Sequence, residues 1–103
     1  MSRIYVHVTL KIRIGGYERF SEAMAKQVPV LEGFGWKLAG AWVTTIGRVY
    51  SVIHIWELPN ADSFFETTAK WRETSAFQEF RAVTSEVLEE EVLSIVRKTP
   101  YSP

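Results

Sequence analysis

Residues 42–56 read WVTTIGRVYSVIHIW, from Trp42 to Trp56. It is an apolar run interrupted by Ile46-Gly47-Arg48, with a histidine set between indoles. Gly47 can take a positive φ, so the interruption reads as a hairpin turn between two strands, Trp36–Thr45 and Tyr50–Leu58. On strict alternation one face carries Leu38, Gly40, Trp42 and Thr44, then Tyr50, Val52, His54 and Trp56. The other carries Val43, Val49, Ile53 and Ile55, broken by Lys37 and Ser51. Neither face is simply polar, so both are expected to be at least partly covered.

Upstream, residues 3–12 (RIYVHVTLKI) alternate with period two, Ile4, Val6, Val8, Leu10 and Ile12 against Tyr5, His7, Thr9 and Lys11, which predicts a first strand. Gly15-Gly16 ends it. Tyr17, Phe20, Met24, Val28 and Leu31 then recur at helical spacing, predicting a helix over 17–32 with a bend or looser turn at Pro29 and a stop at Gly33 and Gly35. Downstream, Asn60 or Asp62 can cap a second helix running to Trp71. Ser75 with Gln78 matches a capping box for a third helix, which carries Phe77, Phe80, Thr84, Val87 and Leu88. Glu86, Glu89, Glu90 and Glu91 read as a solvated stretch before a last strand, Val92–Lys98.

The resulting order is β-α-β-β-α-β with the second helical element split, an α+β ferredoxin-like pattern over a single domain of residues 1–103. Right-handed crossovers put the helices on one sheet face. The other face, aromatic and aliphatic, has no element left to cover it, so a homodimer through that face is expected.

Charge is balanced, 12 basic against 12 acidic groups. That disfavours nucleic acid or an anionic membrane surface as the main partner. The chain has no cysteine, which removes thiolate metal sites and thiol nucleophiles and is compatible with a cytoplasmic location. No run approaches the length of a membrane span, and no targeting segment is read at the start. The aromatic content, 14%, is high for a small domain and points to a core, pocket or interface rich in rings.

Among side chains with chemistry to offer, His54 leads, because an imidazole near neutral pKa donates and accepts a proton. It has two readings, an acid–base group or a hydrogen-bonded core histidine. Trp42 and Trp56, on its face by alternation, suit stacking on a flat ligand or packing in an apolar interior. Tyr50 offers a hydroxyl, and Arg48 in the turn can reach a carboxylate or simply meet solvent. His7 sits on the other face of strand one. Two histidines without metal-binding spacing make a poor metal site, and nothing in the chain favours haem, so no metal or cofactor is expected. No nucleophile elbow or phosphate loop is present; Gly15-Gly16 is a turn.

Four segments carry a family resemblance: KLAGAWVTTIG (Lys37–Gly47), VIHIWEL (Val52–Leu58), WRETSAFQEF (Trp71–Phe80) and VRKTPYSP (Val96–Pro103). Together and in this order they resemble the NIPSNAP family of the dimeric α/β-barrel superfamily. The resemblance implies two ferredoxin-like sheets paired around a barrel. Its lumen would be lined by Trp42, Thr44, Tyr50, His54 and Trp56, with Val6, Val8 and Leu10 from strand one and Arg48 at its mouth. Family members often begin with a tyrosine-glutamate-x-arginine-x-tyrosine strand; here Val6, Val8 and Leu10 replace its acidic, basic and second aromatic residues, which makes that wall drier. Two functions follow as expectations. One is an enzyme on a hydrophobic, aromatic or polyketide-like compound, with His54 and Tyr50 catalytic. The alternative is a non-catalytic dimeric binding or interaction module with an apolar or filled lumen.

Overall fold

A computed structural model describes residues 3–103. The chain runs β1 (Ile4–Ile12), α1 (Tyr17–Gly33), β2 (Lys37–Val43), β3 (Ser51–Leu58), α2 (Ala61–Arg72), α3 (Ser75–Val87) and β4 (Leu88–Val96). The strands form one antiparallel sheet in the order β2-β3-β1-β4. Helices cover one face only. This is an α+β fold in the ferredoxin-like arrangement, with the second helical segment divided.

Period-two patterning sets the central strands. Val6, Val8, Leu10 and Ile12 of β1 and Val52, His54, Trp56 and Leu58 of β3 are buried. Direct pairing of Val6 with Trp56, Val8 with His54 and Leu10 with Val52 puts them on the same side. All but His54 pack with Phe20 and Leu31 of α1, Trp36 and Val87 into one apolar core. Helix α1 continues through Pro29 to Gly33. Asn60 caps α2 by accepting from the Ser63 N–H at 2.8 Å. The cap of α3 is Thr74 rather than Ser75: its hydroxyl accepts from the Phe77 N–H at 3.1 Å.

Three expectations are corrected. The sheet is not closed into a barrel: β2 and β4 are its open edges, each paired with one neighbour. Four strands, each rotated by roughly 20–25° from the next, cannot bring their edges together, and small closed barrels need about eight. The barrel expectation is corrected accordingly: this chain forms one open four-stranded sheet.

The second correction concerns β2. Lys37 and Leu38 pair with Glu57 and Trp56, but a bulge between Leu38 and Gly40 shifts the register, so Gly40 faces Ile55, Ala41 faces His54 and Trp42 faces Ile53. A one-residue slip turns every later side chain over. Trp42 consequently joins Ile53 and Ile55 on the face without helices, with its indole lying over Gly40. It does not share a face with His54.

Third, β4 begins at Leu88, directly after α3, so that Glu89, Glu90 and Glu91 lie within the strand and Glu86 in the last turn of α3. Ile12 pairs with Leu88, Lys11 with Glu90 and Leu10 with Glu91. Main-chain pairing to β1 outweighs the weak strand preference of glutamate, and Lys11 Nζ meets Glu89 at 3.4 Å. The three exposed glutamates leave this edge charged, which opposes edge-to-edge association.

Candidate functional site

The bulge and the hairpin shape an open cleft between α1 and the β2–β3 pair. Its volume is about 260 Å³, and its walls include Phe20, Met24 and Val28 of α1 and Val52, His54 and Trp56 of β3. The helix supplies its wall through residues four apart, and the strand supplies its wall through alternate residues, so both regular periods point apolar side chains at the same gap.

His54 is the polar residue of the β3 wall, and Tyr17 and Ser21 of α1 add hydroxyls to the same cleft. The histidine is 6% exposed. Its ring stacks on Phe20 at 6.3 Å between centroids and meets Trp56 edge-on at 6.4 Å. Burial among these rings lowers its pKa from the ordinary value of 6.5, because the imidazolium would lose its hydration. No carboxylate lines the cleft. The group is thus a neutral imidazole, able to donate through one nitrogen and accept through the other.

The other sequence-derived candidates disperse. Trp56 lines the cleft and packs edge-on against Trp36 at 5.5 Å. Trp42 reaches only the cleft border and is 54% exposed on the opposite sheet face. Tyr50 lies in the β2–β3 connection at φ 64°, where its carbonyl accepts from the Ile12 N–H at 2.8 Å; it ties down the end of β1 and does not line the cleft. Arg48 is exposed in the same connection. Thr44 closes the hairpin, its N–H donating to the Ser51 carbonyl at 2.9 Å. Val6, Val8 and Leu10 are core residues under the helices. His7 lies on the uncovered face, paired with Ile55 and Ser94. Of the expected set, His54 and Trp56 come together at one cavity, with Trp42 at its edge.

A buried polar residue outside that set joins the helices behind the cleft. Gln27 of α1 is 1% exposed. Its Nε2 donates to the Ala76 carbonyl and its Oε1 accepts from Trp71 Nε1, both at 3.0 Å, so one side chain ties α1 to α2 and α3. A signal was present: Phe20, Met24, Gln27 and Leu31 follow the spacing of a buried helix face, and a glutamine there requires partners. Among the described residues no group of three or more His, Asp or Glu side chains is placed to hold a metal ion. Among the described residues no helix is long and apolar enough to cross a membrane.

The NIPSNAP family profile matches residues 5–103. Among solved structures, the chain is similar to a NIPSNAP family protein of Agrobacterium tumefaciens, at 27% identity and TM-score 0.83, covering 98% of this chain and 90% of that one. A second Agrobacterium tumefaciens NIPSNAP family protein, of unknown function, aligns at 17% identity and TM-score 0.88, covering 99% and 93% of the two chains. A NIPSNAP-like domain protein of Burkholderia xenovorans aligns at 23% identity and TM-score 0.82, covering 99% and 90%. The last two likenesses concern the fold alone. No curated protein matches the chain.

Proposed function

Because the chain belongs to the NIPSNAP family, we propose that it is a non-catalytic binding protein that holds a small, flat hydrophobic molecule in the cleft between α1 and the β2–β3 hairpin. The observation that carries this reading is a neutral, desolvated His54 set in a mainly apolar cleft, to which Tyr17 and Ser21 of α1 add only hydroxyls. Such a histidine fixes the orientation of one polar substituent on a ligand whose remaining surface is buried by Phe20, Met24 and Trp56. The partners expected for acid–base turnover, Tyr50 and Arg48, lie elsewhere, in the hairpin connection, and the cleft offers beside His54 only the hydroxyls of Tyr17 and Ser21, with no carboxylate or cation.

The test is a titration with 1-naphthol and with naphthalene, followed by the Met24 methyl and Val52 signals in NMR. Naphthol is expected to bind more tightly than naphthalene, and His54→Gln to change that preference by about threefold to tenfold, the worth of one hydrogen bond. Met24→Trp, which fills the cleft, is expected to abolish binding of both. Unchanged binding in Met24→Trp would remove the cleft from consideration, and turnover of either compound that depends on His54 would replace this reading with the enzymatic one.

The same reading includes self-association through the uncovered sheet face. Trp42, Val92 and Val96 are exposed there beside the half-buried Ile53 and Ile55, an apolar surface that a second copy of the chain would cover.

A further inference from the structure

A second cleft, separate from the first, lies between α2–α3 and the β1–β4 side of the sheet. Its volume is about 250 Å³, with Leu10, Phe64, Trp71, Phe80, Thr84 and Leu93 among its walls. The ring of Trp71 packs against Phe77 at 4.8 Å and Phe80 at 5.8 Å, which gives the helical wall a firm aromatic lining. Leu93, on β4 opposite, is 43% exposed although it pairs with the buried Val8 on the helix-facing side of the sheet. The apolar core is therefore left open at this edge.

A further feature distinguishes this cleft from a packing gap. The cleft opens onto a recess of about 310 Å³ formed by Arg72, Phe77, Gln78 and Arg81, so that Arg72, Phe77 and Arg81 border both spaces. Neither arginine forms an ion pair among the described residues, whereas Arg3, Lys11 and Arg19 each meet a carboxylate. One acidic group, Glu91, lies on the strand side of the cleft. Two guanidinium groups against one carboxylate leave the mouth net positive.

We propose that this second cleft binds a small amphipathic carboxylate, with its alkyl chain between α2–α3 and β1–β4 and its carboxylate held at the mouth by Arg72 and Arg81. The planar fork of an arginine matches a carboxylate with two parallel hydrogen bonds, a geometry a solvated alcohol cannot use. The apolar chamber accounts for the tail and the paired arginines for the head.

The experiment is calorimetric titration of the full chain at low salt with decanoate, decanol and decyltrimethylammonium, each below its micelle concentration, with NMR of the Trp71 indole and Leu93 methyls. Decanoate is expected to bind about tenfold more tightly than decanol, as charge-assisted hydrogen bonds imply. The cation is expected to bind most weakly. The exposed double change Arg72→Gln with Arg81→Gln should bring decanoate to the affinity of decanol while leaving decanol itself unchanged. Equal binding of the three compounds, an unchanged preference in the double variant, or shifts confined to Met24 and Val52 in the α1 cleft would each overturn the assignment.

Discussion

At the scale of single residues, two buried polar side chains decide most of what the molecule can do. His54 is held neutral by desolvation, so its folded pKa lies below the ordinary 6.5. As pH falls through 6.5 the unfolded chain takes up a proton that the folded chain refuses, and stability declines until the folded pKa is reached. Above that range the contribution is constant. Urea unfolding at pH 7.5 and 5.5 is expected to show lower stability at pH 5.5, with the difference reduced in His54→Gln; an equal pH response in wild type and variant would refute the burial account. Gln27 offers a complementary case, because its amide satisfies both Trp71 and Ala76. Gln27→Leu keeps the apolar stem but strands a buried indole N–H and a carbonyl, with an expected loss of about 1–3 kcal/mol in the same urea measurement.

Between elements, the junction of β1, the start of α1 and the end of α3 is closely packed. A Cβ on Gly16 would stand 2.7 Å from Val87 Cβ, at the end of α3, and 3.2 Å from the Arg13 carbonyl. Neither is the tip of a flexible side chain, so Gly16→Ala forces the start of α1 away from the end of α3. Overpacking of this kind costs about 1–3 kcal/mol, to be read as a lower unfolding midpoint with an unchanged slope. At the α2–α3 break, Thr74→Ala removes the cap of the Phe77 N–H and is expected to cost about 1 kcal/mol. Gly40 contrasts with Gly16, because its added Cβ would meet the Trp42 indole, a side chain free to swing on the open face.

The whole molecule measures 42 × 35 × 18 Å. An 18 Å thickness accommodates a sheet and one layer of helices, each helix about 10–12 Å across, and leaves one sheet face bare. Self-association through that face predicts twice the chain mass in sedimentation at micromolar concentration. Ile53→Asp, in the middle of the face, is expected to give a monomer, whereas Trp42→Ser weakens association and changes monomer stability by no more than about 0.5 kcal/mol. A wild-type chain that sediments as a monomer would leave the exposed Trp42, Val92 and Val96 needing another partner.

The kind and order of the elements were legible because they rest on local periodicity: β1 and β3 on alternation, α1 on the spacing from Phe20 to Leu31, the start of α2 on Asn60. Local signals did not carry the placement of Trp42, Tyr50 and the glutamates of β4. Trp42 changes face through a bulge defined only by pairing with β3, Tyr50 leaves the strand for a left-handed turn, and Glu89, Glu90 and Glu91 become strand because β1 supplies partners for their main chain. The position of His54 was settled the same way. With apolar residues on both faces of the hairpin, alternation states which side chains lie together but not which group the helices cover. Sequence by itself therefore determined an α+β chain with a histidine beside aromatics. Tertiary structure alone put that histidine beneath α1, left the sheet open and opened the arginine-rimmed cleft, since all three depend on non-local pairing and packing.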